Sequence, residues 1–267
     1  MIPIWLKKNL LGSGSTSGVG VVEFTTTSTG VVNIAITGKA GCNLVVDPGD
    51  GTGYETVALD GGSTPWIHDY AGAPGTKTVV FYGVENLEDI DTNNNSTLAF
   101  NAGKFNGFSK LNILNIEYAS ITGDASRFNR NNFPLLTALI VRYCSMSFEP
   151  ADFGTLHNLI SLYCYNNNGS GDLGGFSTLP NLLYFRPYNN AFTYLNATTW
   201  PAYDGVAILL QSTLSTAAEV DRFIIDSVAS GWTNNTITFS GTNPARTSAS
   251  DAALVASILA GNVWTLN

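Results

Sequence analysis

A regularly spaced apolar pattern in the middle of the chain restricts most strongly what the chain can fold into. Each copy has apolar residues at its first and fourth positions, a mostly apolar residue at its sixth, and often an asparagine at its ninth. The six copies begin 23 to 25 residues apart, at Leu87, Leu111, Leu136, Leu159, Leu182 and Val206. Since one copy is too short to bury its own apolar face, the copies are predicted to stack on one another.

This pattern, L-x-x-L-x-L-x-x-N, resembles the leucine-rich-repeat family, whose repeats are roughly 20–29 residues long. The resemblance implies a solenoid over residues 85–214 in which each copy contributes one short strand. The apolar residues then point inward, and the ninth residue turns the chain inside the corner. The residues between the apolar positions line a concave sheet, with about 5 Å between successive copies.

Residues 19–84 precede the repeats and have the alternation of short β-strands separated by turns. Three segments follow in order: 47–52 (DPGDGT), 66–70 (WIHDY) and 75–79 (GTKTV). They resemble the W-G-D-G-T turn, the H-x-Y segment and the G-x-Y-x-V strand of the polycystic-kidney-disease (PKD) family. The resemblance implies an immunoglobulin-like β-sandwich, in which Asp50 accepts backbone N–H bonds and Gly51 takes a positive φ. Asp47 and Asp50 lack the spacing of an EF-hand loop, so a turn is favoured over a calcium site.

Residues 215–267 are predicted to form two helix–strand units that cap the repeats. The first helix has Ser215 as its predicted N-cap and ends before Gly231, and a strand follows at 236–239. A second helix over 250–259 leads to a last strand at 263–266. The predicted fold is therefore mainly β, with an N-terminal immunoglobulin-like sandwich of the PKD type, a leucine-rich-repeat solenoid and an α/β C-terminal cap.

Residues 1–18 are predicted to be an apolar and basic arm followed by a flexible glycine- and serine-rich linker. The apolar side chains of the arm are costly to leave in water, so they are predicted to anchor the chain by docking on another protein. These anchor residues are Ile2, Ile4, Trp5 and Leu6. A disordered terminus is the alternative. The two lysines follow the apolar run, unlike a signal peptide, and no stretch reaches the roughly 18 apolar residues of a membrane span.

Composition and motifs exclude several kinds of partner and site. Only 12% of the residues are charged and the net charge is −8, so the chain lacks the basic stripe that nucleic acid requires, and no membrane insertion is expected. Cys42, Cys144 and Cys164 lack the spacing of a metal site or of a disulfide framework, so neither a metal nor a cofactor is predicted. His68 and His157 each lie within a structural motif. Residues 169–175 (GSGDLGG) contain no lysine and are predicted to be a loop, and no catalytic motif is found.

The residues predicted to bind a ligand lie on the concave sheet. Tyrosine and arginine are enriched at binding hot spots, because they bury a large area and keep a polar tip. Tyrosine, asparagine and arginine also suit sugar rings, which need a flat apolar surface and hydrogen bonds. The predicted ligand-binding residues are Glu117, Tyr118, Arg142, Tyr143, Tyr163, Tyr165, Arg186 and Tyr188. The alternative is a tyrosine ladder that only stabilises the sheet by cross-strand stacking.

These features favour a non-enzymatic structural and adhesion protein on the surface of a virus particle, resembling bacteriophage spike, fibre or head-decoration proteins. Such a protein folds in a host cytoplasm and then faces the exterior, which fits this composition beside the absence of a signal peptide. The expected partners are other virion structural proteins, through the arm, and a host-surface glycan or protein. Two alternatives stay open: a secreted or cell-surface bacterial adhesin resembling internalins, and a carbohydrate-active enzyme with an accessory repeat.

Overall fold

A computed structural model describes residues 20–92, 95–211, 213–239 and 241–266 of the chain. The regular secondary structure of these residues is mainly β-strand, in several sheets, which confirms the predicted mainly-β class. The chain divides into two compact units, of which the first ends at Leu136 and the second begins at Thr137. Within the described ranges, neither α-helix is long and apolar enough to cross a membrane.

The described part of the first unit contributes ten strands. They are β1 (Val21–Thr26), β2 (Val31–Gly38), β3 (Cys42–Asp47), β4 (Glu55–Leu59), β5 (Ser63–Asp69), β6 (Lys77–Tyr82), β7 (Leu87–Asp91), β8 (Leu98–Asn101), β9 (Ile113–Asn115) and β10 (Ser120–Thr122). One sheet has the order β10-β8-β1-β6-β3-β4. In a second sheet, β5, β2, β7 and β9 pair in that order.

Alternating side chains place one side of each of these sheets in the core. Along β2, Val32, Ile34 and Ile36 are buried, and the residues between them are more exposed. Trp66 of β5 is also buried, and its ring meets the edge of Phe81 of β6 with the centroids 5.5 Å apart. Because β5 and β6 belong to different sheets, this contact shows that the two sheets pack face to face.

The first two copies of the apolar pattern form parallel pairs in this unit. Ile90 of β7 is in register with Leu114 of β9, so the fourth positions of the two copies lie side by side. The chain between and after these strands buries a group of phenylalanine rings, which includes the stacked pair Phe108 and Phe133. The phenylalanines therefore fill the space behind the short strands.

The described part of the second unit contains two ladders of parallel strands. The longer ladder consists of β11 (Ala138–Ile140), β13 (Ser161–Tyr163), β15 (Tyr184–Arg186), β17 (Ala207–Leu209), β18 (Thr236–Thr238) and β19 (Val263–Thr265). The shorter ladder consists of β12 (Ser147–Phe148), β14 (Asn168–Asp172) and β16 (Ala191–Thr193).

The longer ladder keeps a fixed register. The central residues of its first four strands, Leu139, Leu162, Phe185 and Ile208, are each 23 residues apart and lie opposite one another. All four are buried. The apolar period is thus reproduced as a buried column for the copies that begin at Leu136, Leu159 and Leu182. The predicted register of the sixth copy is wrong by one residue, because Ile208 and not Leu209 lies opposite Phe185.

Asparagine side chains hold the turns that follow these strands. Asn167 donates from Nδ2 to the carbonyl oxygens of Val141 and Cys164, at 2.6 and 3.0 Å. Its Oδ1 accepts the backbone N–H groups of Cys144 and Met146, at 2.9 and 3.1 Å. One asparagine amide, at the ninth position of its copy, thus satisfies four backbone groups around this turn.

Helices α1 (Ala217–Ala229) and α2 (Asp251–Leu259) complete the second unit. The predicted N-cap Ser215 is wrong by one residue, because Thr216 is the N-cap and forms a capping box with Glu219. Glu219 is buried and also accepts the Tyr194 N–H at 2.9 Å and both donors of Ser215 at 3.0 Å. Burial alone would raise the pKa of Glu219, but these hydrogen bonds outweigh burial and lower the pKa.

The predicted loop at 169–175 is wrong in part. Strand β14 extends to Asp172, and a short 3₁₀ helix at Leu173–Thr178 follows. At Gly169 a Cβ atom would lie 2.6 Å from the Phe148 ring and 2.8 Å from the Phe192 ring. The glycine therefore allows close packing inside a strand rather than flexibility in a loop.

Candidate binding face of the second unit

Six of the eight predicted ligand-binding residues lie in the second unit, on strands β11 to β15 or directly after them. In each strand the central residue is buried, and its neighbours point to the other side of the sheet. We call this group the tyrosine–arginine face. It consists of Arg142, Tyr143, Tyr163, Tyr165, Arg186 and Tyr188.

The centre of the tyrosine–arginine face is a stack of three side chains. The rings of Tyr165 and Tyr188 lie 4.1 Å apart with an angle of 13° between their planes. The guanidinium carbon of Arg142 lies 5.5 Å from the centroid of the Tyr165 ring, and an Arg142 Nη1–H donates to the Tyr165 hydroxyl oxygen. Burial, followed by the interaction with Tyr165, raises the pKa of Tyr188. The stack is therefore ordered before any ligand arrives.

A second guanidinium lies on a second ring. Tyr163 and Arg186 are register partners on β13 and β15. The guanidinium carbon of Arg186 lies 4.5 Å from the centroid of the Tyr163 ring. This cation–π contact orients the Arg186 guanidinium and leaves its N–H groups in the plane of the group.

The eighth position of four of the copies has a left-handed backbone conformation. In the second unit φ is 56° at Tyr143, 54° at Asn166 and 51° at Asn189. Asparagine adopts this region readily, whereas a tyrosine there is strained. Tyr143 is 44% exposed, and its ring meets the edge of the Tyr165 ring at 5.5 Å. A strained and exposed aromatic residue is more typical of a functional site than of a scaffold.

The other two predicted ligand-binding residues, Glu117 and Tyr118, lie in the first unit directly after β9. Glu117 is only 5% exposed, and its backbone N–H donates to Asn115 Oδ1 at 3.3 Å. Tyr118 is 40% exposed and has a φ of 62°. Tyr118 therefore offers the same strained, exposed ring as Tyr143, whereas Glu117 is buried. The anchor residues Ile2, Ile4, Trp5 and Leu6 lie outside the described residues and stay predictions.

Sequence reasoning missed one aromatic residue of this side of the sheet. Tyr184 is 47% exposed and lies at the third position of its copy, two residues before Arg186. All of the predicted ligand-binding residues occupy the fifth, seventh or eighth position of their copy, although the third position of a strand faces the same side as the fifth. A cleft of about 460 Å³ lies beside the residues that directly precede β13 and β15. Its lining includes Ile160, Leu183 and Tyr203.

A separate cluster in the first unit joins a buried histidine to two carboxylates. His68 Nδ1 lies 2.6 Å from Glu55 Oε1, and His68 Nε2 lies 2.8 Å from Asp50 Oδ2. Asp50 Oδ1 also accepts the Thr52 N–H and hydroxyl, at 3.0 and 2.6 Å, and Gly51 has a φ of 86°. The predicted turn geometry at Asp50 and Gly51 is therefore confirmed.

The acidic and basic groups of this cluster stabilise one another's charged forms. The hydrogen bond from the Thr52 hydroxyl is the main reason that the pKa of Asp50 falls to about 2, and His68 lowers it further. Burial alone would lower the pKa of His68, but the hydrogen bonds to Asp50 and Glu55 outweigh burial and raise it. An imidazolium that donates from both ring nitrogens is thus favoured, and it ties the 47–52 turn to β4 and β5.

The chemistry available on the tyrosine–arginine face is that of binding. Its rings present flat apolar surfaces, and its guanidinium and phenol groups present directed hydrogen bonds. In the described part of the chain, no group of three or more His, Cys, Asp or Glu residues is placed to hold a metal ion. No protein-family model and no curated protein sequence matches the chain.

Proposed function

We propose that this chain is a non-enzymatic adhesion protein that is displayed on the surface of a bacteriophage particle and binds a host-surface ligand through the tyrosine–arginine face. The proposal includes two assignments of fold. Residues 19–84 form an immunoglobulin-like sandwich of the PKD type, and residues 85–214 form a leucine-rich-repeat solenoid with an α/β cap at 215–267.

The assignment of leucine-rich repeats is supported by the register of the second unit. The first four strands of its longer ladder recur every 23 residues with their central apolar residues in one buried column. Asn167 and Asn190, at the ninth positions, each bond to the backbone around the turn of their own copy. A short strand followed by an asparagine or cysteine at the ninth position is typical of the repeat, and Cys144, Asn167 and Asn190 occupy that position in the first three copies of this unit.

The observation that carries the binding function is the ordered stack of Arg142, Tyr165 and Tyr188. Ordering these side chains within the free protein reduces the conformational entropy lost on binding. The strained and exposed Tyr143 borders the stack. The next two copies carry asparagine at this position, which costs less in the left-handed region, and this supports a role for the Tyr143 ring beyond its packing on Tyr165.

Display on a particle is supported by composition rather than by geometry. Only 12% of residues are charged, and amide and hydroxyl side chains replace them on the surface. In this proposal the arm, through Ile2, Ile4, Trp5 and Leu6, docks on other virion structural proteins. Immunogold labelling with an antibody against the chain distinguishes display on particles from display on bacterial cells, where label would instead support a cell-surface adhesin.

Binding is tested with fluorescently labelled protein on intact host cells. Tyr143→Asn removes the exposed ring and keeps a residue that tolerates a positive φ, so we expect at least a tenfold loss of cell binding. Tyr54→Asn is the matched control, because Tyr54 is 41% exposed and lies in the first unit. Equal binding by the two variants, with both folded by circular dichroism, would show that the ligand does not contact this face.

A further inference from the structure

The charge of the tyrosine–arginine face differs from that of the whole chain. The chain has a net charge of −8, yet the three repeat copies that build the face have no Asp or Glu at their third, fifth, seventh or eighth positions. Arg142 and Arg186 occupy two of those positions. Two cations with no acid at these positions favour an anionic group on this face even when the protein as a whole is acidic.

Arg186 is the cation that is best placed to bind such a group. Its guanidinium lies over Tyr163, and no described carboxylate forms an ion pair with it. A planar guanidinium held in this way can bind a carboxylate through two parallel N–H···O bonds. Arg142, by contrast, already donates to the hydroxyl of Tyr165.

Aromatic rings lie on both sides of Arg186, and two amides lie beyond one of them. Tyr184 is two residues earlier on the same strand, so it lies about 7 Å away on the same side of the sheet. Tyr188 is two residues later and stacks on Tyr165. Beyond it, Asn189 Nδ2 donates to Asn166 Oδ1 at 2.9 Å, and this amide pair is exposed. Aromatic faces beside amides suit a sugar ring, whose C–H groups pack on the rings and whose hydroxyls bond to the amides.

We infer that the ligand of this face is a carboxylate-bearing saccharide, a uronic or sialic acid residue of a surface polysaccharide. The inference rests on the proposed adhesion function and names its ligand class. The carboxylate binds Arg186, and the sugar ring packs against Tyr184 and Tyr188. In these sugars the carboxyl carbon is bonded directly to the ring, so anchoring the carboxylate brings the ring to the tyrosines. A densely sulfated polymer or a nucleic acid would need a longer basic stripe than two arginines provide.

The test compares each acid with its neutral ester. The full chain is immobilised, and binding is measured to oligogalacturonate, hyaluronan oligosaccharide and α2,8-linked oligosialate, each as the free acid and as the methyl ester. We expect at least one free acid to bind and its ester to bind at least tenfold more weakly. Arg186→Gln should weaken the free acid to the level of the ester. Arg222→Gln makes the same charge change at an exposed position of α1 and should bind as wild type does.

Two kinds of result would overturn the inference. One is equal binding of a free acid and its ester, or unchanged binding of a free acid by Arg186→Gln. The other is no binding to any of the three acids by wild-type protein that still binds intact cells. The second result leaves the adhesion function in place. The adhesion function itself is tested by the cell-binding comparison of Tyr143→Asn with Tyr54→Asn.

Discussion

The ring of Tyr188 lies parallel to the ring of Tyr165, with 4.1 Å between their centroids. Tyr165 is only 4% exposed, so its ring supports its neighbours and presents little surface of its own. Arg142 donates to its hydroxyl, and the ring of Tyr143 meets it edge-on. Tyr165 is thus the buried centre around which the more accessible members of the tyrosine–arginine face are arranged.

Two substitutions of Tyr165 are expected to lower stability by different amounts. Tyr165→Ala removes a buried ring and should lower the free energy of unfolding by about 3–5 kcal/mol. Tyr165→Phe keeps the ring and removes the acceptor of the Arg142 hydrogen bond, so it should cost only about 1 kcal/mol. Urea denaturation measures both values. A cost for Tyr165→Ala below that of Tyr165→Phe would contradict a packed central ring.

Much of the second unit was predictable from the sequence because its contacts repeat. The spacing of Leu139 and Leu162 sets both the strand positions and their register, since each copy meets the next in the same way. The spacing does not show how deeply a given side chain is buried. Glu117 and Tyr165 occupy positions that face the ligand side, yet both are buried, because burial depends on how neighbouring side chains pack.

The first unit was less predictable because its strands pair over long distances in sequence. The Ser28 turn between β1 and β2 would suit a hairpin, but β1 pairs with β6 and β8, and β2 pairs with β5 and β7. Turn chemistry favours a reversal of the chain and does not determine which sheet each strand joins. The cluster around His68 shows the same limit, because Glu55 has no motif that would predict its contact with the ring.

Asn167 is expected to contribute more to stability than its neighbour Asn168. Asn167→Ala leaves backbone groups of Cys144, Met146 and Val141 without their side-chain partner, at about 1–3 kcal/mol for each group that stays buried and unsatisfied. We therefore expect a loss of at least about 2 kcal/mol in the free energy of unfolding. Asn168→Ala removes one exposed hydrogen bond to the Ser145 carbonyl oxygen and should cost less than about 1 kcal/mol. Equal chemical-denaturation midpoints for the two variants would argue against the corner role of Asn167.

The cluster of His68, Asp50 and Glu55 is expected to make the stability of the first unit depend on pH. The pKa of His68 is raised in the folded state, so its contribution is complete below its ordinary value of 6.5 and is lost as pH rises through the folded value. The pKa of Asp50 is lowered to about 2, so its contribution is complete above 3.8 and is lost as pH falls toward about 2. Protection of β4 and β5 against hydrogen exchange, corrected for intrinsic rates, should be greatest between these limits.

His68→Gln is the comparison for this pH dependence. The variant has no imidazolium, so the loss of protection on the alkaline side should disappear, and the loss on the acid side should remain because Asp50 keeps its bonds from Thr52. If His68→Gln loses hydrogen-exchange protection at alkaline pH as the wild-type protein does, the histidine is not the cause of that loss.

Tyr143 is expected to lower the stability of the fold through its backbone conformation and to contribute to binding through its ring. Its φ of 56° is tolerated by asparagine and is costly for most other residues, by about 1–2 kcal/mol. Tyr143→Asn and Tyr143→Ala both remove the ring contact with Tyr165, so the difference between them isolates the backbone conformation. We expect Tyr143→Asn to be more stable than Tyr143→Ala by about 1 kcal/mol, while both lose binding to the same extent. Thermal denaturation and the cell-binding assay give the two readouts. An alanine variant that matched the asparagine variant in stability would mean that the strain is relieved locally, and strain at Tyr143 would then no longer support a binding role.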